Sequence, residues 1–303
     1  MRWRRRGVVP TDFIILRTFA DLDYAGNLVG ASARNADMIM LKRSLRGVCR
    51  ASRLVSLFKK INSSHDLVSV ASMAGKTVLI TGSNRGLGLS FVKHYVKAGW
   101  NVIATTRRGA NLDELEALSP GKIIHMDVRD ESSVLQMAQD LEGTPIDLLI
   151  NNAGTFTGSG DMSTTTKDAL MMEFEVHAVG PFLVTRSLLP NLKLGAKRNG
   201  KNGARVAQLS SIWASIETGS GPYAYAASKA ALHMINHRMA DEMNHHHIAA
   251  ILLDPGYVAT NLPRNSYEHG AERVVDAMVR IIEKSKMQDT GKFFHFMGHE
   301  IPW

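Results

Sequence analysis

The chain has 303 residues, 45 % of them hydrophobic and 21 % charged, with 25 Gly. That length and apolar content exclude collagen-like, low-complexity and disulfide-scaffold classes and leave ample material for a buried core. The formal net charge of +8 invites a polyanion or a membrane as partner, yet residues 1–72 carry 13 Lys and Arg against 5 Asp and Glu, while residues 73–303 carry 23 of each.

The excess charge therefore belongs to a basic N-terminal extension, residues 1–73, and residues 74–303 read as a single balanced domain. Leu41, Leu45, Val48, Val55 and Phe58 recur at helical spacing among Lys42, Arg43, Arg46, Arg50, Arg53, Lys59 and Lys60, with no acid from 38 to 61. This is a basic amphipathic helix similar to a mitochondrial presequence. Asp12, Asp21, Asp23 and Asp37 ahead of it suit a leader poorly. A solvated, partly disordered extension and a targeting segment both remain open. A cytoplasmic location is expected, with the mitochondrion as the alternative. Met38, Met40 and Met73 are internal candidate starts, and a chain from Met73 would be complete. No apolar run reaches the roughly 18 residues of a spanning helix. The single cysteine, Cys49, points to a reducing compartment.

From Lys76 the pattern becomes regular. Strands are predicted over Lys76–Thr81, Asn101–Thr106, Lys122–Val128, Ile146–Ile150, Arg205–Leu209, Ile248–Leu253 and Lys292–Met297. Helices are predicted between them over Leu87–Ala98, Leu112–Leu118, Ser132–Leu141, Thr166–Leu194, Tyr223–Met243 and Glu268–Lys286. Nearly continuous apolar strands alternating with helices imply an α/β fold, a doubly wound (Rossmann), mostly parallel seven-stranded sheet. Ligands of such sheets bind beyond the carboxyl ends of the strands, so residues that follow strands carry the interest.

The first strand runs into Thr81-Gly82-Ser83-Asn84-Arg85-Gly86-Leu87-Gly88. Gly82 permits a tight turn, Gly86 a close approach to a pyrophosphate, and Gly88 close helix–strand packing; the diphosphate sits on the helix N-terminus. At the second strand end, where an NAD-reading site places an acid, stands Thr105-Thr106-Arg107-Arg108. Arg85 and Arg107 suit a 2′-phosphate, so NADPH/NADP is expected over NADH. Asp127 and Val128 end the third strand, where the carboxylate can accept from an adenine amino group or merely cap a turn. Asn151, Asn152, Ala153 and Gly154 end the fourth, small enough for a dinucleotide to lie flat while the amides brace neighbouring strand ends.

Tyr225 and Lys229 share a helix face at i and i+4, and Ser211 follows the fifth strand. Tyrosine, with an ordinary pKa near 10, needs neighbouring positive charge to exchange protons at neutral pH. Lys229 can supply that charge and hold the nicotinamide ribose, and Ser211 can orient a carbonyl oxygen. Tyr223 lacks a lysine at i+4.

Together T-G-x-x-x-G-x-G, N-N-A-G, Ser before Y-x-x-x-K, and Pro255-Gly256-Tyr257-Val258-Ala259-Thr260 resemble the short-chain dehydrogenase/reductases. The glycine loop and the C-terminal Gly291–Phe294 and Glu300–Trp303 are similar to the sniffer-like carbonyl reductase and C-factor subgroup. The resemblance implies Ser211, Tyr225 and Lys229 as catalytic residues, with Ser211 preferred over Ser210. It implies Pro255, Gly256, Val258 and Thr260 around the nicotinamide, a small carbonyl substrate, and pairing through the long helices into a homodimer. One position departs: Val176-His177-Ala178-Val179-Gly180 puts His177 where the family has an Asn that supports a proton-relaying water. A histidine there titrates near neutrality and puts the relay in question. A dinucleotide-binding regulatory or signalling protein of the same fold is the alternative reading. The short linker Asn261–Tyr267 suggests an open pocket. His245–His247 make a poor metal set, and Lys193–Arg205, with no interleaved aromatics, reads as a solvated turn without a nucleic-acid role.

Overall fold

β1 (Thr77–Ile80), β4 (Leu148–Asn151) and β6 (Ile248–Asp254) are buried at every position, which requires a sheet with helices on both faces. The computed structural model describes residues 75–158, 160–257 and 270–303, all within one unit, Leu67–Trp303. The basic amphipathic stretch, the candidate starts, Val258, Thr260 and the 261–267 linker lie outside the described residues.

With β2 (Asn101–Thr106), β3 (Lys122–His125), β5 (Ala204–Leu209) and β7 (Phe293–His295), the strands form one sheet in the order β3-β2-β1-β4-β5-β6-β7. Every strand pair is parallel. The helices are α1 (Gly86–Lys97), α2 (Asp113–Ala117), α3 (Glu131–Asp140), α4 (Lys167–Phe174), α5 (Gly180–Ser187), α6 (Leu189–Asn199), α7 (Tyr223–Asn244) and α8 (Ala271–Lys284). Alternate residues of each strand face opposite cores. Val78 and Ile80 pack with Phe91 and Tyr95 of α1, Leu115 of α2 and Met278 of α8. Leu79 packs with Met137 of α3, Val184 of α5, Leu192 of α6 and Met239 of α7. The chain winds one way from β1 to β3 and the other way from β4 onward, so β1 and β4 flank the switch point at which open α/β sheets hold ligands.

The single helix expected over Thr166–Leu194 is instead three helices and a π turn. Thr166 starts α4 by accepting the Ala169 N–H. Pro181 then has no N–H to give the His177 carbonyl, and its ring would crowd that carbonyl in a regular α-helix. Glu175–Val179 widens into a π turn in which the Gly180 N–H reaches back five residues to the Glu175 carbonyl. Pro190, in the first turn of α6, imposes the second break at Leu188. His177 therefore sits on an irregular turn, a common place for functional side chains.

The basic Lys193–Arg205 stretch is partly structural. The buried Asp147 carboxylate accepts the Thr77 N–H at 2.6 Å and Arg198 Nε at 3.2 Å, joining β1, the start of β4 and α6. Arg205 Nη2 donates to the Ser285 carbonyl at 2.6 Å. The fit of α6 is tight: a Cβ on Gly195 would stand 2.0 Å from the Ile146 carbonyl oxygen. Gly195→Ala is expected to destabilise the fold by about 1–3 kcal/mol or more, since the obstacle is backbone. Urea unfolding reads this directly, and an unchanged midpoint would refute so close an approach.

Candidate active site

The carboxyl ends of β1, β2, β4, β5 and β6 open on one cavity of about 560 Å³, lined in part by Gly82, Asn84, Arg85, Gly86, Leu87, Gly88, Thr106, Arg107, Asp127, Val128, Asn152, Ala153, Gly154, Tyr225, Lys229 and Pro255. Gly82 and Gly86 occupy the left-handed region, with φ of +67° and +58°. A Cβ on Gly88 would lie 2.1 Å from the Gly82 carbonyl oxygen, so only glycine lets α1 start against the loop. Asn152 ties the loop to β4: its amide donates to the carbonyls of Thr81 and Gly82 at 2.8 and 3.0 Å. The Thr81 hydroxyl oxygen in turn accepts the N–H groups of Asn152 and Ala153, both at 3.0 Å.

No side chain caps the N-terminus of α1, and its first turn holds no acid. Its amides and the positive end of its dipole face the cavity and suit a phosphate. Arg85 and Arg107 are exposed at the rim, and among the described residues neither is in an ion pair with a carboxylate. No acid stands at the end of β2. The donor set thus fits a dinucleotide carrying an extra phosphate. Ser83 turns inward, its hydroxyl donating to the Ile80 carbonyl and its N–H to that of Thr105. The Asp127 carboxylate is held by Arg129, which reaches it through Nη2 at 3.1 Å and its own N–H at 3.0 Å; these bonds and nearby charge keep Asp127 below the usual carboxylate range against the cost of burial. Gly256, at φ +66°, donates its N–H to Asp254 at 3.0 Å.

Tyr225 and Lys229 project from the first two turns of α7, with Lys229 Nζ 5.7 Å from the centre of the tyrosine ring. That nitrogen is buried and donates to the Leu209 carbonyl at 2.7 Å. Ser211 leads a single 3-10 turn, Ile212–Ala214, and its hydroxyl accepts the Trp213 N–H at 3.3 Å. The Ser210 hydroxyl is instead spent on His233, 2.8 Å away.

The protein alone does not lower the pKa of Tyr225 as the sequence suggests. Burial pushes it up to about 12, with Asp254 and Glu173 adding to the rise. Burial pushes Lys229 down to about 8, against the pull of the same two carboxylates. Glu173 and Asp254, 1 % and 2 % exposed, are site groups that sequence reasoning missed. Asp254 was readable as a carboxylate ending an apolar strand just before Pro255-Gly256; Glu173 had no local signal.

His177 is also corrected. Its Nε2 accepts the Thr155 N–H at 3.0 Å, which places its proton on Nδ1, and Nδ1 faces the Ser228 hydroxyl at 2.9 Å. Ser228 donates onward to the Tyr225 carbonyl at 2.8 Å. Burial and the Lys229 charge push His177 down to about 2, so it stays neutral, and both ring nitrogens are engaged within the protein. The imidazole packs edge-on against the Tyr225 ring at 5.1 Å. It braces the site through Thr155, Ser228 and Tyr225.

The family model described as short chain dehydrogenase matches residues 76–270. The chain is 35 % identical over 164 residues to the C-signal protein of Myxococcus xanthus, covering 52 % of this chain and 93 % of that one. It is 30 % identical over 201 residues to the rhamnolipids biosynthesis 3-oxoacyl-(acyl-carrier-protein) reductase of Pseudomonas aeruginosa, covering 64 % and 77 %. The carbonyl reductase Sniffer of D. melanogaster superposes with a TM-score of 0.71 at 28 % identity, over 75 % of this chain and 99 % of that one. An NADPH-bound carbonyl reductase from chicken fatty liver gives 0.69 at 26 %, over 76 % and 100 %.

His233 is likewise lowered, to about 4, by burial. An unfolded chain binds protons at these histidines near pH 6.5, whereas the folded chain does so only far lower. Stability is therefore full above that pH and falls as pH drops below it. His177→Asn removes one such group, so the decline in thermal midpoint between about pH 6.5 and 4.5 should become shallower; an identical slope would show that His177 does take up a proton in the fold.

Proposed function

Since this chain belongs to the short-chain dehydrogenase family and is an oxidoreductase by that membership, we propose that it reduces aldehyde, ketone or quinone carbonyls with NADPH. The observation that carries the reading is the convergence of Tyr225 and Lys229 with two rim arginines on one cavity at the switch point, with Ser211 following directly on Leu209 and Ser210, which line it. The glycine loop and the α1 N-terminus would hold the diphosphate, Arg85 and Arg107 the 2′-phosphate, Lys229 the nicotinamide ribose, and Pro255 and Gly256 the nicotinamide end. Val258 and Thr260 belong to the same segment.

When bound, the dinucleotide supplies the hydride. The Ser211 hydroxyl donates to the substrate oxygen and fixes it, and Tyr225 protonates that oxygen as negative charge builds on it. Lys229, held on the Leu209 carbonyl, contributes the ammonium charge that draws the phenol back toward a useful acidity. A nearby cation is needed because burial and two carboxylates push Tyr225 the other way.

The similarity to C-signal favours one second reading, a regulatory or signalling protein on the same fold with weak turnover. A homodimer fits either, since α4, α5 and α7 expose Met171, Phe174, Phe182 and Met234. Among the described residues no helix is long and apolar enough to cross a membrane. A cytoplasmic location remains our proposal, with the mitochondrion as alternative.

Carbonyl-dependent oxidation of NADPH is expected, and Tyr225→Phe should lower it by about 10²–10⁴-fold, the usual worth of a positioned acid. Retained turnover in that variant would remove Tyr225 from the chemistry, and no turnover in the native chain would favour the signalling reading. Arg107→Ala should weaken NADPH about tenfold or more and leave NADH nearly unchanged, as loss of a charged hydrogen bond requires. Equal weakening of both would refute the 2′-phosphate assignment. The rate of reduction should fall as pH rises past about 8, where Lys229 gives up its proton; a profile flat to pH 10 would contradict an ammonium role.

A further inference from the structure

We propose that the segment Thr155–Thr157 is a clamped wall of the substrate site, and that its Phe156 ring, with Trp213, selects flat aromatic carbonyl compounds over saturated ones. This rests on the reductase reading and narrows its substrate class.

The clamp consists of Glu173 and His177, four residues apart at the junction of α4 and the π turn. His177 accepts the Thr155 N–H at 3.0 Å, and Glu173 Oε1 accepts both the N–H and the hydroxyl of Thr157 at 2.6 Å. Alternate amides of the segment are thus spent on the helix. Between them, Phe156 keeps 58 % of its surface exposed and lines the cavity. Glu173 is fully enclosed, and its Oε2 has no partner. A carboxylate is costly to bury, and here it fixes a loop that would otherwise be free to move.

Phe156 stands 5.8 Å from the Tyr225 ring at 77°, and Trp213 stands 5.8 Å from it at 89°. Trp213 is packed closely against the chain at Gly221. Gly221, at φ +95°, lies against it, and a Cβ there would come 2.6 Å from the indole Cγ. A large apolar ring left open in a cavity beside a proton donor is the mark of a ligand surface. Ring faces held in place favour partners that present a π-system of their own. Glu173 and His177 are positioning residues in this account, and Phe156 and Trp213 set specificity.

The experiment compares benzaldehyde with cyclohexanecarboxaldehyde, which share a carbon skeleton and differ in flatness. The full chain is saturated with NADP for calorimetric binding and supplied with NADPH for turnover. Conjugation changes intrinsic reactivity, so the reading lies in how the benzaldehyde-to-cyclohexane ratio moves between variants. Phe156→Ala should shrink that ratio about fivefold in binding and in KM, in line with the worth of an aromatic pair. Glu173→Ala should do the same, and Glu173→Gln, whose amide oxygen still accepts from Thr157, should restore it. Thr157→Val, which removes one bond of the clamp, serves if Glu173→Ala fails to fold. A ratio untouched by Phe156→Ala overturns the wall. A ratio moved by Phe156→Ala but not by Glu173→Ala or Thr157→Val overturns the clamp. A binding preference without turnover would sink the reductase reading alone, and turnover without preference would sink this inference alone.

Discussion

The site depends on how two parallel strands are held where they part. β1 leads toward α1, β4 leads toward α4, and the cavity is the space between those departures. The Asn152 amide spans it, donating to Thr81 and Gly82, while the Thr81 hydroxyl accepts two amides in return. Four hydrogen bonds between two short stretches of chain, Thr81–Gly82 and Asn152–Ala153, leave little slack in the glycine loop. The absence of a Cβ at Gly88 is the steric counterpart of the same junction. Without that brace the α1 N-terminus would not be presented to a phosphate at all.

On the other side of the cavity the electrostatics run against expectation. A half-buried tyrosine, an enclosed lysine and two enclosed carboxylates lie close enough to shift one another. Burial dominates at Tyr225 and Lys229 and pulls both toward their neutral forms, while Glu173 and Asp254 favour the ammonium and disfavour the phenolate. The neutral His177 adds no charge to this balance. The arrangement keeps a proton on the phenol, which suits the proton-giving role proposed for it.

The sheet was legible because its strands announce themselves as apolar runs, and the glycine loop because it follows one of them. Tyr225 and Lys229 were legible because i and i+4 on a helix is a local relation. What escaped depends on contacts between distant segments. Glu173 looks like any acid in a polar helical stretch until the fold sets it over Thr157. Phe156 looks like a loop residue until Tyr225 lies beside it. The π turn was in principle readable, since Pro181 forbids a regular turn across His177, yet the hydrophobic pattern continues through it and hides the break. His177 was recognised as a departure, but its behaviour followed from burial, which no spacing reveals.

The bond from Lys229 to the Leu209 carbonyl closes the chain into a ring. Leu209 ends β5, Ser211 follows two residues later, and Tyr225 stands one helical turn before the lysine that returns to Leu209. All three proposed catalytic groups are links of this one ring. Thermal sliding of α7 along the sheet would have to stretch a buried, charged hydrogen bond before it could spread them apart. That closure ties the three to one another, and it bears on a spacing in which, for the proposed proton delivery, an error near 1 Å would be costly.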